Sequence, residues 1–162
     1  MTHRNNLERP SEEVTTLRAK VVPPGEGEAI EVLGTPMKIL MRAEESGGTF
    51  CAYEVLVRPG EGPRPHIQQQ EEECFYVLEG QFEFQAGAQV ALLGPGSFVF
   101  VPRRTRHTFK NVGPTPGRLL GWDMPAGREY WFEQTARVMR NGAFAEAQWE
   151  ALNRECGVEF VP

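Results

Sequence analysis

Nine short runs rich in β-branched and aromatic residues follow one another through the chain, at 29–33, 36–41, 50–57, 74–79, 82–85, 89–93, 97–101, 107–111 and 118–123, and Gly or Pro stands between each and the next. Proline cannot donate to a strand ladder, and glycine supplies turn conformations that other residues avoid, so runs punctuated in this way are strands joined by turns. Their number and spacing predict an all-β barrel or sandwich rather than alternating βαβ units. Phe82 and Phe84, Phe98 and Phe100, and His107 and Phe109 lie two residues apart, so each pair shares one face of its strand. Beyond Pro125-Ala126-Gly127 the pattern changes. Tyr130, Trp131, Phe132, Ala136, Val138 and Met139, then Phe144, Ala147, Trp149 and Leu152, recur at helical spacing. This predicts two short helices, over 128–139 and 143–154, packed on the outside of the barrel with their aromatics serving as core. The expected organisation is an N-terminal arm (1–27), one barrel (28–124) and a C-terminal helical extension (125–162), since 162 residues suit a single core.

Charge removes some functions. Lys and Arg number 17 against 22 Asp and Glu, for a formal net charge of −5, and a mildly acidic surface repels nucleic acid and anionic membranes. No run approaches the roughly 18–20 apolar residues that span a bilayer, and the first residues, MTHRNNLERPSEEVTTL, lack the apolar stretch of a signal peptide, so the expectation is a cytoplasmic protein. Cys51, Cys74 and Cys156 are odd in number and show no CxxC spacing, as expected of reduced thiols.

Two of the three histidines stand in or beside predicted strands. In GEGPRPHIQQQEEECFYVLEG (60–80), His66 and Gln68 share a strand face and Glu73 enters the apolar strand CFYVL, so alternation lets the three converge. In GSFVFVPRRTRHTFKN (96–111), a strand ends at Pro102 and His107 begins the next, offering a fourth group from a neighbouring strand. Gln69 to Glu72 read as a solvated loop. Glu54, if it faces inward, is a buried carboxylate, and Phe75, Phe109 and Trp122 are candidate walls for a flat substrate. Arg103, Arg104 and Arg106 either draw an anionic substrate to the site or keep a turn soluble.

The two segments resemble the paired motifs of the cupin family, G-x5-H-x-H-x3-4-E-x6-G and G-x5-P-x-G-x2-H-x3-N. Gly60, His66, Glu73 and Gly80 fill the first, with Gln68 where its second histidine belongs; Gly96, Pro102, His107 and Asn111 fill the second, with Arg104 where its middle glycine belongs. The resemblance implies a cupin β-barrel, also called a double-stranded β-helix or jelly roll. It implies one divalent transition metal (Fe, Mn, Ni or Zn) on His66, Gln68, Glu73 and His107, with a small-molecule substrate beside it. Gln68 offers only a neutral amide oxygen, so the site binds metal more weakly than a three-histidine version. His66, Glu73 and His107 still make the two-histidine, one-carboxylate set of non-haem Fe(II) oxygenases. Arg104 replaces a residue type that marks positive φ, which predicts local rearrangement.

The ending GVEFVP (157–162) is similar to that of small bacterial cupins grouped with quercetin 2,3-dioxygenase. That likeness implies a metal-dependent dioxygenase for an aromatic or enolic molecule, with Glu73 as ligand and catalytic base. The competing readings are a non-catalytic binding cupin with a degenerate site and a metal-assisted isomerase or decarboxylase. Apolar sheet edges invite self-pairing, so a homodimer through sheet or arm contacts is expected.

Overall fold

The computed structural model describes residues 17–140 and 146–162. Every expected run is a strand, within two residues at each end: β1 (Glu28–Val32), β2 (Thr35–Met41), β3 (Cys51–Val57), β5 (Glu72–Glu79), β6 (Phe82–Ala86), β7 (Gln89–Leu93), β8 (Phe98–Val101), β9 (His107–Asn111) and β10 (Gly117–Met124). Between them lie a four-residue α1 (Ala43–Ser46) and β4 (His66–Gln68); after them come α2 (Arg128–Arg140), α3 (Glu146–Glu155) and β11 (Val158–Phe160). β4 and β11 have three residues each, too few to display a period of two. The expected arm falls for the most part outside the described residues, as do positions 143–145 of the second expected helix. No helix among the described residues is long and apolar enough to cross a membrane.

The strands form two antiparallel sheets, ordered β1-β2-β3-β10-β5-β8 and β11-β4-β9-β6-β7. They face each other as a jelly roll and are not closed by hydrogen bonds into one ring. Alternation decides what lies between them. In β3, Cys51, Tyr53, Val55 and Val57 are buried, and in β10, Gly117, Leu119, Gly121 and Asp123 are, while the residues between them turn outward. Phe75 and Phe109 meet across the gap with ring centroids 5.3 Å apart, edge to face. Phe98 and Phe100 share a face as expected, but it is the outer one, where they are 57% and 50% exposed.

The first helix departs from its expected place on the outside. Trp131 and Phe132 of α2 belong to the hydrophobic core, with Phe132 edge-on to the inward Tyr53 at 4.9 Å between ring centroids, so the helix aromatics are core as predicted. Asn111 explains its motif position structurally: its buried amide donates to the Val57 and Thr115 carbonyls and accepts from Gly113 N–H, clamping the β9–β10 loop to the end of β3. Arg104 keeps the left-handed backbone of the glycine it replaces, at φ 65°, and its N–H donates to the Gln68 carbonyl at 2.6 Å, tying the turn to β4. The expected rearrangement does not occur; an exposed side chain there can tolerate the strain.

Candidate metal centre

His66 and His107 lie directly opposite each other where β4 pairs with β9, so their side chains rise from the same face and the ring centroids come to 4.3 Å. Glu73 reaches them from β5 in the facing sheet. One donor atom of each residue lies within 4.8 Å of the other two, and all three residues are buried. Each Nδ1 is 2.9 Å from a backbone carbonyl, that of Arg64 for His66 and of Thr105 for His107. A ring nitrogen facing a carbonyl oxygen carries the proton, which turns each Nε2 toward the cluster, free on His66 and facing the Glu73 carboxylate on His107. The Tyr53 hydroxyl donates to Glu73 Oε1 at 2.7 Å, and Oε2 lies 2.8 Å from His107 Nε2. Gly121, opposite Tyr53 in the ladder, makes that possible: a Cβ there would sit 2.4 Å from the tyrosine ring.

Burial, then the charge of nearby His107, push His66 down to about 4. For Glu73 burial works the other way, but the hydrogen bond and charge of His107, with His66 and Arg128, hold its carboxyl below the usual range. Burial opposes protonation of His107 too, yet its bond to Glu73 raises it. The cluster therefore favours an anionic oxygen flanked by imidazoles whose outer nitrogens are already committed. Two imidazole nitrogens and one carboxylate oxygen, oriented by outer hydrogen bonds, fit a divalent transition metal.

Gln68 is buried on the same face of β4 as His66. In the amide orientation that satisfies both neighbours, its nitrogen donates to Asp123 Oδ1 at 3.1 Å and its oxygen accepts from Arg128 Nη2 at 3.2 Å. Asp123 stands opposite Glu73 in the β5–β10 ladder, and burial together with Glu73 raises its carboxyl well above the ordinary value.

The cluster opens onto a cavity of about 590 Å3, with Phe75, Phe109, Tyr53, Trp131 and Phe132 among its walls. Two of the other wall candidates are elsewhere. Glu54 points outward, because the two-residue period of β3 turns Tyr53 in, and it pairs with Arg118 at 2.9 Å. Trp122 also faces out, beside Phe98 with centroids 6.0 Å apart, because Gly121 and Asp123 take the inner face of β10. Glu71, expected in a solvated loop, is buried, its loop pinned by the Gln69 N–H to the Gly157 carbonyl. Glu72 is the first residue of β5 instead of part of a loop, half-buried and bound to Arg103. Arg106 binds the Pro162 carbonyl, and none of the three turn arginines lines the cavity.

Tyr53, Asp123 and Arg128 were not singled out from sequence. The alternation of CAYEVLV and GRLLGWDM places Tyr53 and Asp123 inward, which was a usable signal. Arg128 gave only a cation at a helix start, where the helix dipole disfavours one.

The family described as "Cupin domain" matches residues 53–122, which carry the whole cluster. The chain is 32% identical to Protein SchB of Streptomyces halstedii over 88 residues, 54% of this chain and 64% of that protein, so it spans just under two thirds of that relative. It is 30% identical to quercetin 2,3-dioxygenase of Bacillus subtilis over 95 residues, 56% of this chain and 27% of that enzyme. Among solved structures, KdgF from Halomonas sp. superposes with a TM-score of 0.61 at 20% identity, covering 70% of this chain and 99% of that one. With its paired motifs and facing sheets, the chain has the cupin jelly-roll fold, and its residues 53–122 match a cupin domain.

Proposed function

We propose that this cupin is a metal-dependent dioxygenase for a small aromatic or enolic molecule. The observation that carries the proposal is the buried two-histidine, one-carboxylate cluster opening onto a cavity with largely aromatic and aliphatic walls. His66, Glu73 and His107 hold one divalent transition metal, with the remaining lone pair of the Gln68 amide oxygen as a weaker fourth donor. When bound, such an ion supplies Lewis acidity and a place to orient dioxygen beside a deprotonated substrate. The carbonyls of Arg64 and Thr105 hold the imidazoles in register, and Tyr53 holds Glu73. Glu73 is the acceptor for the proton of a substrate hydroxyl, and Phe75 and Phe109 exclude water around it.

The relation to quercetin 2,3-dioxygenase supports this reading, over a quarter of that enzyme's length. The exposed outer-face aromatics Tyr76, Phe98 and Phe100 support a homodimer built on that face, and three free cysteines are in keeping with a cytoplasmic setting. The test is oxygen uptake by metal-loaded protein over a panel of catechols and flavonols. Uptake that requires metal and is abolished by Glu73→Gln is expected. Turnover of substrate without oxygen uptake would replace the proposal with a metal-assisted isomerase or decarboxylase.

A further inference from the structure

Arg128 lines the same cavity as His66 and Glu73, and it offers no lone pair to a metal. It is the first residue of α2, where the partial positive charge of the helix terminus opposes a cation, and it is buried to 4% exposure, which opposes a charge again. Its guanidinium is stacked 4.5 Å from the centre of the Trp131 ring and 5.7 Å from that of Phe132, which fixes its plane. Nη2 serves the Gln68 amide oxygen. Nε and Nη1 are buried and donate to nothing, and among the described residues no carboxylate forms an ion pair with this arginine. The neighbouring Glu129 is committed to the N–H groups of Ala43 and Gly127. Arg64, the other arginine of the cavity wall, is exposed and lies over Phe160.

We infer that Arg128 anchors a carboxylate on the molecule that enters the cavity, so the ligand class is a small aromatic carboxylate. The inference rests on the cavity being the substrate site proposed above. A rigid guanidinium with unspent donors matches a planar oxyanion in shape and charge, and a ligand without such oxygens would leave the buried Nε and Nη1 unpaired. The apolar walls then take the ring, and the cluster at His66, Glu73 and His107 takes the ring's oxygen substituents.

The probes are 3,4-dihydroxybenzoate and 3,4-dihydroxybenzamide, matched in size and both carrying a catechol, titrated calorimetrically into the purified protein. Metal content is measured on the same samples, and the titrations are repeated after chelation. Wild type is expected to prefer the carboxylate by about 10- to 100-fold, the range for a hydrogen bond to a charged group, with or without metal. Arg128→Met should bring the ratio close to one with metal content unchanged, and Arg128→Lys should restore part of it. Equal binding of the two probes by wild type overturns the inference without need of a variant. So does a preference that survives in Arg128→Met, which would belong to the metal, or one that vanishes only together with the metal, which would make Arg128 a structural support of the cluster. Absence of oxygen uptake with the preference intact sinks the dioxygenase reading alone and leaves the anchor standing.

Discussion

His66 and Glu73 are buried side by side and both resist protonation, the ring because burial keeps it neutral, the carboxylate because its bond to His107 outweighs burial. In the metal-free protein His66 stays neutral down to about pH 4, whereas in the unfolded chain it takes a proton near 6.5. The unfolded state therefore binds the proton first as pH falls, and the share of stability that comes from neutral His66 is lost between about 6.5 and 4. The effect is on the order of 3 kcal/mol at full extent. Urea unfolding of metal-free protein across this range should show the loss, and His66→Leu should lack this share of it; identical slopes in the two proteins would refute the assignment. Tyr53 holds Glu73 through its hydroxyl. Tyr53→Phe removes the hydrogen bond to Oε1 and leaves the ring in place, so affinity for a divalent metal should fall by about 10-fold in chelator competition. An unchanged affinity would show that His107 alone orients the carboxylate.

At the scale of elements, the turn between β8 and β9 carries a strained residue where the family motif has glycine. Arg104→Gly relieves a left-handed backbone that costs a side-chain-bearing residue about 1–2 kcal/mol, against a smaller entropic loss, so thermal or urea unfolding should show a gain of up to about 1 kcal/mol. A loss would mean that the arginine side chain makes a contact worth more than the strain. The same turn shows what could be read from sequence. Spacing identified the positions of Pro102, Arg104 and His107, because motif positions follow from backbone geometry that the turn must reproduce. The long strands were legible from alternation, and so were the convergence of His66, Glu73 and His107 and the cavity walls at Phe75 and Phe109. Alternation gives a shared face but not which face is inner: Phe98 and Phe100 came out exposed, and Glu54 and Trp122 left the site when Tyr53 and Gly121 took the inward phase. Arg128 was illegible because its importance depends on α2 lining the cavity beside His66 and Glu73, a tertiary placement that no local period encodes.

For the whole molecule, two sheets supply the centre from both sides, the imidazoles from one and the carboxylate from the other, so the site exists only when the sandwich is closed. The apolar outer face at Tyr76, Phe98 and Phe100 belongs to the same sheet as Glu73, and a second copy covering it would give twice the chain's mass by light scattering at micromolar concentration. Introducing charge with Phe98→Glu and Phe100→Glu should return the monomer; a wild-type monomer under those conditions would contradict the dimer. The most direct test of the metal centre is elemental analysis of the purified protein beside His66→Ala and His107→Ala variants whose folding is confirmed by circular dichroism. About one equivalent of a divalent transition metal per wild-type chain, lost in both variants, is the predicted result. A folded wild-type protein that retains no such metal after incubation with Fe(II), Mn(II), Ni(II) or Zn(II), or variants that retain it fully, would contradict the centre assigned to His66, Glu73 and His107.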